Sequence, residues 1–230
     1  LVSLSLTPLR IDEILEIRKD IDQVDIKGKA ILFESGIYAK LPNDIPENLA
    51  LSVLDVAGAP AQTQKLVKEG QTVLILGAAG KSGMLCLYEA KKMAGPTGRV
   101  ICLDYSEKSL VNVKKLELAD DYIVADATDG IGVSNKIKEL TKGELCDTVI
   151  VNVNIQNCEM AAILSAKEGG TVYFFSMATD FPKASLGAEG VFKDINMIVG
   201  NGYCKGHANT ALQILRESVK IRKLYTELYA

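Results

Sequence analysis

A glycine-rich stretch from Gly77 to Gly83, with the sequence GAAGKSG, stands between an apolar run and a helical pattern. It matches the G-x-G-x-x-G fingerprint on residues 78 to 83, with Ala78 in place of the first glycine. Gly80 lets a pyrophosphate approach the backbone, and Gly83 lets the helix pack on the strand. The N–H groups of a helix N-terminus attract phosphate. The residues predicted to bind a nucleotide here are Ala79, Gly80, Lys81, Ser82 and Gly83. A tight turn without a ligand is the alternative.

An acidic residue follows at the spacing that a dinucleotide site requires. Asp104 ends the next apolar run, 21 positions after Gly83, and Tyr105 comes directly after it. A carboxylate there accepts hydrogen bonds from the ribose hydroxyls and repels a 2′-phosphate. Asp104 and Tyr105 therefore predict NAD, rather than NADP, as the cofactor. The alternative is an aspartate that caps the following helix, a role equally open to Ser106.

Polar residues also follow the later strands of the pattern. Carboxyl ends of parallel strands meet at one edge of a sheet, where ligands bind. We expect Asp126 to lie near the adenine, and Asn152 and Ser176 to line the nicotinamide half. Asn201 follows the sixth predicted strand at the same edge. Ordinary loop polarity is the alternative for each.

The elements that must position these residues alternate from Gly70 onward. Apolar runs at 72–76, 99–103, 122–124, 148–153, 171–176 and 195–200 predict strands. Helical patterns lie between them at 82–94, 108–118, 133–141 and 158–167, and one or two helices close the chain over 209–230. Continuous Val, Ile and Leu strands are typical of a parallel sheet covered on both faces. The predicted fold class is α/β, a doubly wound parallel sheet of the Rossmann type.

The first part of the chain is less regular. Residues 1–6 resemble a strand, and apolar residues at Ile11, Ile14 and Leu15 predict a short amphipathic helix over 10–19. A strand, turn and second strand are expected over 28–40. A helix is expected over 47–67, with Pro60 kinking or splitting it.

Composition narrows the class of protein. The 230 residues carry a net charge of −3, which provides no basis for binding nucleic acid or an anionic membrane. No apolar run reaches the roughly 20 residues of a membrane span. The five cysteines form no C-x-x-C pair, which predicts free thiols in a reducing cytoplasm.

Two further residue sets suggest chemistry but are predicted to have other roles. Tyr88 and Lys92 match Y-x-x-x-K, a pattern associated with short-chain dehydrogenases. They fall on the first crossover helix, away from the nicotinamide end. His207, the single histidine, follows a predicted loop, and a packing or surface role is expected.

Beyond these motifs, the chain resembles the medium-chain dehydrogenase/reductase superfamily. The similar segments are LPNDIP at 41–46, Ala50-Leu51, and the run from Val67 to Ala78. The resemblance implies that residues 1–45 are the C-terminal part of a GroES-like catalytic domain whose front is missing. It further implies a Rossmann NAD-binding domain over 46–205 and closing helices over 206–230 that return toward the catalytic domain.

Four segments are similar to one narrower family, the L-erythro-3,5-diaminohexanoate dehydrogenases of bacterial lysine fermentation. They are residues 31–40, 55–63, 77–83 and 173–179. The resemblance implies NAD-dependent oxidative deamination of 3,5-diaminohexanoate to 5-amino-3-oxohexanoate and ammonia. The expected partners are a small amino acid substrate and, in a homo-oligomer, further copies of the chain.

Asp55 is the candidate catalytic residue, because it precedes the fingerprint at the predicted domain junction. Some zinc-dependent members of the superfamily place a metal ligand near this point. A helix-start aspartate or a partner for the substrate ammonium is the preferred interpretation, and no metal site is predicted. The alternatives that stay open are a quinone, enoyl or zinc alcohol type of medium-chain enzyme, and a non-enzymatic NAD-sensing module. A methyltransferase is disfavoured by the six strands and the LP segment.

Overall fold

The computed structural model describes residues 7–20, 23–200 and 202–230. Internal contacts divide the chain into two units, residues 1–47 and residues 48–230. The boundary between the two units follows residue 47, two residues after the boundary that the sequence predicted at residue 45. The assignment of the first unit to a catalytic domain stays a prediction. The strand expected over 1–6 and the predicted site position Asn201 lie outside the described residues.

The first unit contains an antiparallel hairpin of β1 (Leu9–Arg18) and β2 (Gln23–Ala30). The helix predicted over 10–19 is therefore wrong. The pairing register shifts between Ile11 and Glu13 and again between Ile14 and Glu16. These irregularities break the alternation of period two, so that the apolar residues recur at helical spacing along a strand. The strand–turn–strand expected over 28–40 is also largely wrong, since regular strand ends at Ala30.

The second unit is built on a six-stranded parallel sheet with the order β5-β4-β3-β6-β7-β8. Every neighbouring pair runs parallel, which confirms the predicted fold class. The order reverses at β3, which lies between β4 and β6, and ligands bind at such a switch point. The strands are β3 (Thr72–Leu76), β4 (Arg99–Asp104), β5 (Asp121–Val124), β6 (Cys146–Val151), β7 (Ala166–Phe174) and β8 (Asn196–Val199).

Nine helices occur among the described residues. They are α1 (Glu47–Leu54), α2 (Gly58–Leu66), α3 (Lys81–Ala94), α4 (Glu107–Lys114), α5 (Gly130–Leu140), α6 (Glu159–Ser165), α7 (Phe181–Gly190), α8 (His207–Glu217) and α9 (Val219–Tyr229). The helix expected over 47–67 is two helices, and the break precedes Pro60. That proline lies in the first turn of α2, where a missing N–H has little effect.

Helix α7 is absent from the elements that the sequence predicted. Two residues mark the start of this helix. Asp180 caps it, since its carboxylate accepts a hydrogen bond from Lys183 N at 3.0 Å, and Pro182 lies in the first turn. The apolar face is short and interrupted by glycines, so helical periodicity is weak here. No helix within the described ranges is long and apolar enough to cross a membrane.

The core of the second unit lies between the sheet and its helices. Side chains of the central strands, such as Leu74, Ile101, Val149 and Val172, are fully buried. Because both faces of the sheet are covered, these strands are continuously apolar instead of alternating. All five cysteines are free and buried in this unit.

Close packing of α3 on β3 yields the first prediction. A Cβ added at Gly83 would lie 2.2 Å from the Gly77 carbonyl oxygen and 2.7 Å from the Ala78 Cα. We expect Gly83→Ala to lower the free energy of unfolding by about 1–3 kcal/mol, because backbone must move. Urea denaturation measures this loss. Gly190→Ala is the control, since a Cβ there meets no atom within 4 Å. Equal midpoints for the two variants would contradict the packing.

Candidate functional site

A cleft of about 790 Å³ opens at the carboxyl edge of the sheet in the second unit. Its walls come from the loops that follow β3, β4, β5 and β6 and from the junction of α1 and α2. Eight residues singled out from the sequence line it: Asp55, Ala79, Gly80, Lys81, Ser82, Asp104, Tyr105 and Asn152. The topology therefore brings together residues that are separated by almost 100 positions in the chain.

The tight turn after β3 depends on Gly77, which has a φ of +74°. A Cβ there would lie 2.8 Å from the backbone nitrogen of Val153. The fingerprint's first glycine is thus Gly77, one residue earlier than the match on residues 78 to 83 placed it. The sequence feature that could have identified Gly77 is a glycine directly after the strand, where the turn requires a positive φ.

Gly80 has a different role from its neighbours. It precedes α3 in an extended conformation, and no side chain caps the helix. A Cβ on Gly80 would meet only the Gly77 carbonyl oxygen, at 3.4 Å, so the fold itself tolerates a side chain. Its absence leaves space above the N-terminus of α3, where N–H groups lack helical partners and attract anions. A pyrophosphate fits this position. Gly83 packs against the turn and is not on the cleft.

Asp104 holds the glycine-rich turn. Its Oδ2 accepts a hydrogen bond from Ala79 N at 2.9 Å, and its Oδ1 accepts from Tyr105 N at 2.9 Å and Ser109 Oγ at 2.7 Å. The cap of α4 is Ser106, whose Oγ accepts from Ser109 N at 3.1 Å. Because a carboxylate has about four acceptor positions, Asp104 retains capacity for a ribose hydroxyl.

Ser109 lines the cleft and is absent from the sequence-predicted site. Its hydroxyl has one proton and lies 2.7 Å from each of two acceptors, Asp104 Oδ1 and the Ser106 carbonyl oxygen. The sequence feature that could have identified Ser109 is the S-x-x-S spacing at the start of α4, which forms a capping box.

Lys81, the first residue of α3, carries the one charged side chain that the glycine-rich turn supplies to the cleft. Its Nζ lies 3.2 Å from Asp55 Oδ2 and 5.3 Å from the ring centroid of Tyr229 in α9. Asp55 is the candidate catalytic residue and is 65% exposed. An ion pair this exposed contributes at most about 1 kcal/mol, so a ligand can readily replace it.

Asn152 follows β6 and offers an unused donor. Its Oδ1 accepts a long hydrogen bond of 3.8 Å from Cys86 Sγ, whereas its Nδ2 is buried with no partner in the described part of the chain. Burial raises the pKa of the Cys86 thiol to about 12, so the thiol stays protonated and can donate. A buried unpaired donor costs about 1–3 kcal/mol. A ligand acceptor, such as a carboxamide oxygen, would satisfy it.

Asp126 and Ser176 do not lie on the cleft, unlike the sequence-based expectation. The Asp126 carboxylate accepts hydrogen bonds from the N–H and hydroxyl of Thr128, at 2.9 and 2.7 Å, and these bonds lower its pKa. Ala125 and Ala127 face the cleft in its place. The Ser176 hydroxyl is nearly buried and accepts from Ala178 N at 3.1 Å. Both polar groups are used by their own turns.

The residues predicted to have no catalytic role make structural contacts. Tyr88 and Lys92 both donate to Glu217 of α8, at 2.8 and 2.7 Å. Lys92 lies eleven residues after Lys81, which is about 16 Å further along α3. It is therefore distant from the part of the cleft that Lys81 lines. His207 begins α8 and makes an edge contact with the ring of Tyr203, with 5.3 Å between centroids. Within the described residues, no group of three or more His, Cys, Asp or Glu side chains could hold a metal ion.

Comparison with known proteins identifies the family. Residues 1–42 match the family model described as the L-erythro-3,5-diaminohexanoate dehydrogenase N-terminal domain. The L-erythro-3,5-diaminohexanoate dehydrogenase of Acetoanaerobium sticklandii is 61% identical over 229 residues, which cover 100% of this chain and 67% of the relative. The chain belongs to the L-erythro-3,5-diaminohexanoate dehydrogenase family. The enzyme of that name from Fusobacterium nucleatum subsp. nucleatum is 58% identical over 229 residues, with coverage of 100% and 66%.

Membership of this dehydrogenase family confirms both the superfamily resemblance and the narrower one. The chain spans about two thirds of the length of these relatives. Among solved structures, the mycobacterial protein Rv1454c complexed with NADPH matches with a TM-score of 0.59 and 20% identity. The match covers 82% of this chain and 55% of that protein. A likeness at this identity supports the medium-chain dehydrogenase fold.

Proposed function

We propose that this chain forms the cofactor-binding part of an NAD-dependent dehydrogenase that deaminates 3,5-diaminohexanoate. The products are 5-amino-3-oxohexanoate, ammonia and the reduced cofactor. The observation that carries the proposal is a dinucleotide-type cleft, with Gly80 open and Asp104 beside it, in a chain 61% identical to a dehydrogenase named for this substrate. Since the chain spans only part of its relatives, the activity is that of the full-length protein.

The cofactor's groups have matching residues along the cleft. The N-terminus of α3 and Lys81 would hold the pyrophosphate, and Gly80 would leave it room. The remaining acceptor capacity of Asp104 would bind the ribose hydroxyls, with Tyr105 adjacent. The unpaired Nδ2 of Asn152 would donate to the carboxamide and so orient the ring. When bound, nicotinamide accepts a hydride from the substrate carbon.

Asp55 would act on the substrate. Oxidation at C3 removes a hydride from carbon and a proton from the attached ammonium group, after which water adds and ammonium leaves. A nearby group must therefore bind the ammonium or accept its proton. Asp55 already pairs with an ammonium, that of Lys81, and its carboxylate is exposed at the cleft. It would bind the substrate in the same way.

We place this activity in the cytoplasm and in a homo-oligomer. The five buried cysteines are unpaired, which fits a reducing compartment. The outer strand β8 and the exposed side chains of Leu186, Val191 and Phe192 support an association of copies. Light scattering on the full-length protein measures its mass, and a monomer would contradict this assembly.

Cofactor choice should depend on Asp104. We expect the full-length protein to bind NAD more tightly than NADP, because the carboxylate repels a 2′-phosphate. Asp104→Ser should weaken NAD binding by about tenfold, since a hydrogen bond to a charged group is lost, and should narrow the gap to NADP. Isothermal titration measures both affinities. Equal affinities in the unaltered protein would refute the assignment.

Gly80 should be required by the ligand and not by the fold. Gly80→Val places a side chain in the space above the N-terminus of α3, and we expect NAD binding to fall by about 10- to 100-fold. The circular dichroism spectrum should be unchanged, because the nearest atom to a Cβ there is 3.4 Å away. Gly190→Val, far from any neighbour, is the matched control. Unchanged binding in Gly80→Val would place the nucleotide elsewhere.

Asp55 should affect turnover more than cofactor binding. We expect Asp55→Asn to lower kcat with 3,5-diaminohexanoate by about 100-fold, since the proton acceptor is lost. NAD affinity should stay nearly the same. Ammonia release coupled to NAD reduction measures the rate. Glu117→Gln, which removes another exposed carboxylate paired with a lysine, Lys220, is the control. If the protein oxidises simple alcohols efficiently and shows no activity on 3,5-diaminohexanoate, the proposed substrate is wrong and only the assignment to the superfamily stands.

A further inference from the structure

Helix α9 reaches back to the start of α3 and contacts Lys81 at two points. The hydroxyl of Tyr225 donates a hydrogen bond to the Lys81 carbonyl oxygen. The ring of Tyr229 lies beneath the Lys81 ammonium, with 5.3 Å between Nζ and the ring centroid. Within the described residues, these contacts join positions that are 144 and 148 residues apart in the chain.

The two tyrosines pack against each other beside Lys81. Their rings meet edge to face at 5.0 Å between centroids, and Tyr225 is fully buried. Burial raises the pKa of both phenols, so both rings stay neutral and Tyr225 remains a hydrogen-bond donor. A neutral tyrosine presents a negative ring face that attracts a cation.

The ammonium of Lys81 therefore has two partners at the cleft. Asp55 attracts it from one side at 3.2 Å, and Tyr229 supports it from below. An incoming phosphate would compete with the Asp55 carboxylate for the ammonium, whereas the ring of Tyr229 carries no net charge and can stay in contact with it. A lysine without this support would lose side-chain entropy on binding an anion.

We propose that Tyr229 is a positioning residue that holds the Lys81 ammonium in place for the cofactor's pyrophosphate. This role rests on the proposed function, because it requires a dinucleotide in the cleft. It also assigns the closing helix, 148 residues from Lys81, a part in cofactor affinity. Displacement of Asp55 by the phosphate would leave that carboxylate available to the ammonium substrate.

The test compares Tyr229→Leu with Tyr229→Phe in the full-length protein, using NAD as the probe. Phenylalanine keeps the ring and leucine removes it. We expect Tyr229→Leu to raise the NAD dissociation constant and the KM for NAD by about threefold, with kcat unchanged. Tyr229→Phe should behave as the unaltered protein. If thermal unfolding shows that Tyr229→Leu is destabilised, Tyr229→Met provides an apolar replacement of greater length.

A second pair of variants separates positioning from stability. In a Lys81→Met background, Tyr229→Leu should have no further effect on NAD binding, because no ammonium remains to be held. A further loss in that background, or equal binding by the leucine and phenylalanine variants, would overturn the role of Tyr229 alone. Absence of NAD binding by the unaltered protein would overturn the proposed function and this inference with it.

Discussion

The cleft depends on three successive N–H groups of the glycine-rich turn, all bonded to the end of β4. The Leu103 carbonyl oxygen accepts from Gly77 N at 3.0 Å and from Ala78 N at 3.2 Å. Asp104 Oδ2 then accepts from Ala79 N at 2.9 Å. The neighbouring strand thereby fixes the path of the turn before the helix begins. Because these N–H groups are occupied, those of the first turn of α3 are the ones directed at a ligand.

This arrangement joins the two halves of the proposed nucleotide site. Asp104 braces the glycine-rich turn and is also the carboxylate beside which the ribose of the proposed cofactor would lie. Ser109 fixes the orientation of that carboxylate from the next helix. A ligand that bonds Asp104 would therefore act on a group already coupled to the turn, and in the proposed site ribose recognition and phosphate binding would share one support. The same side chain stabilises the turn itself, because an unbonded Ala79 N–H close to the core would be costly.

The sequence revealed those parts of the structure whose signals are local. The continuous apolar strands predicted the sheet. The glycine-rich turn after the first strand and the acidic residue at the end of the second predicted the cleft, and eight of the residues singled out from the sequence line it. The β1–β2 hairpin was predicted wrongly, because two register shifts imitate helical periodicity. Asp126 and Ser176 were misplaced, because turns of their own consume their polar groups. The contact of Tyr229 with Lys81 has no local signal, since packing of α9 alone creates it.

The three glycines of the turn differ in the reason for their presence, and that difference identifies the ligand side. Gly77 and Gly83 are required by the fold, because a Cβ at either would lie within 2.9 Å of backbone atoms. Gly80 has no such requirement, since a Cβ there meets a single atom at 3.4 Å. Asn152 likewise has a feature that the fold does not need, because its amide donor is buried and unpaired within the described chain. Features that the fold does not need, and that lower its stability, accumulate where function requires them. Gly80 and Asn152 both line one cleft, which supports the proposal that a bound molecule supplies the contacts that the chain alone leaves unmade.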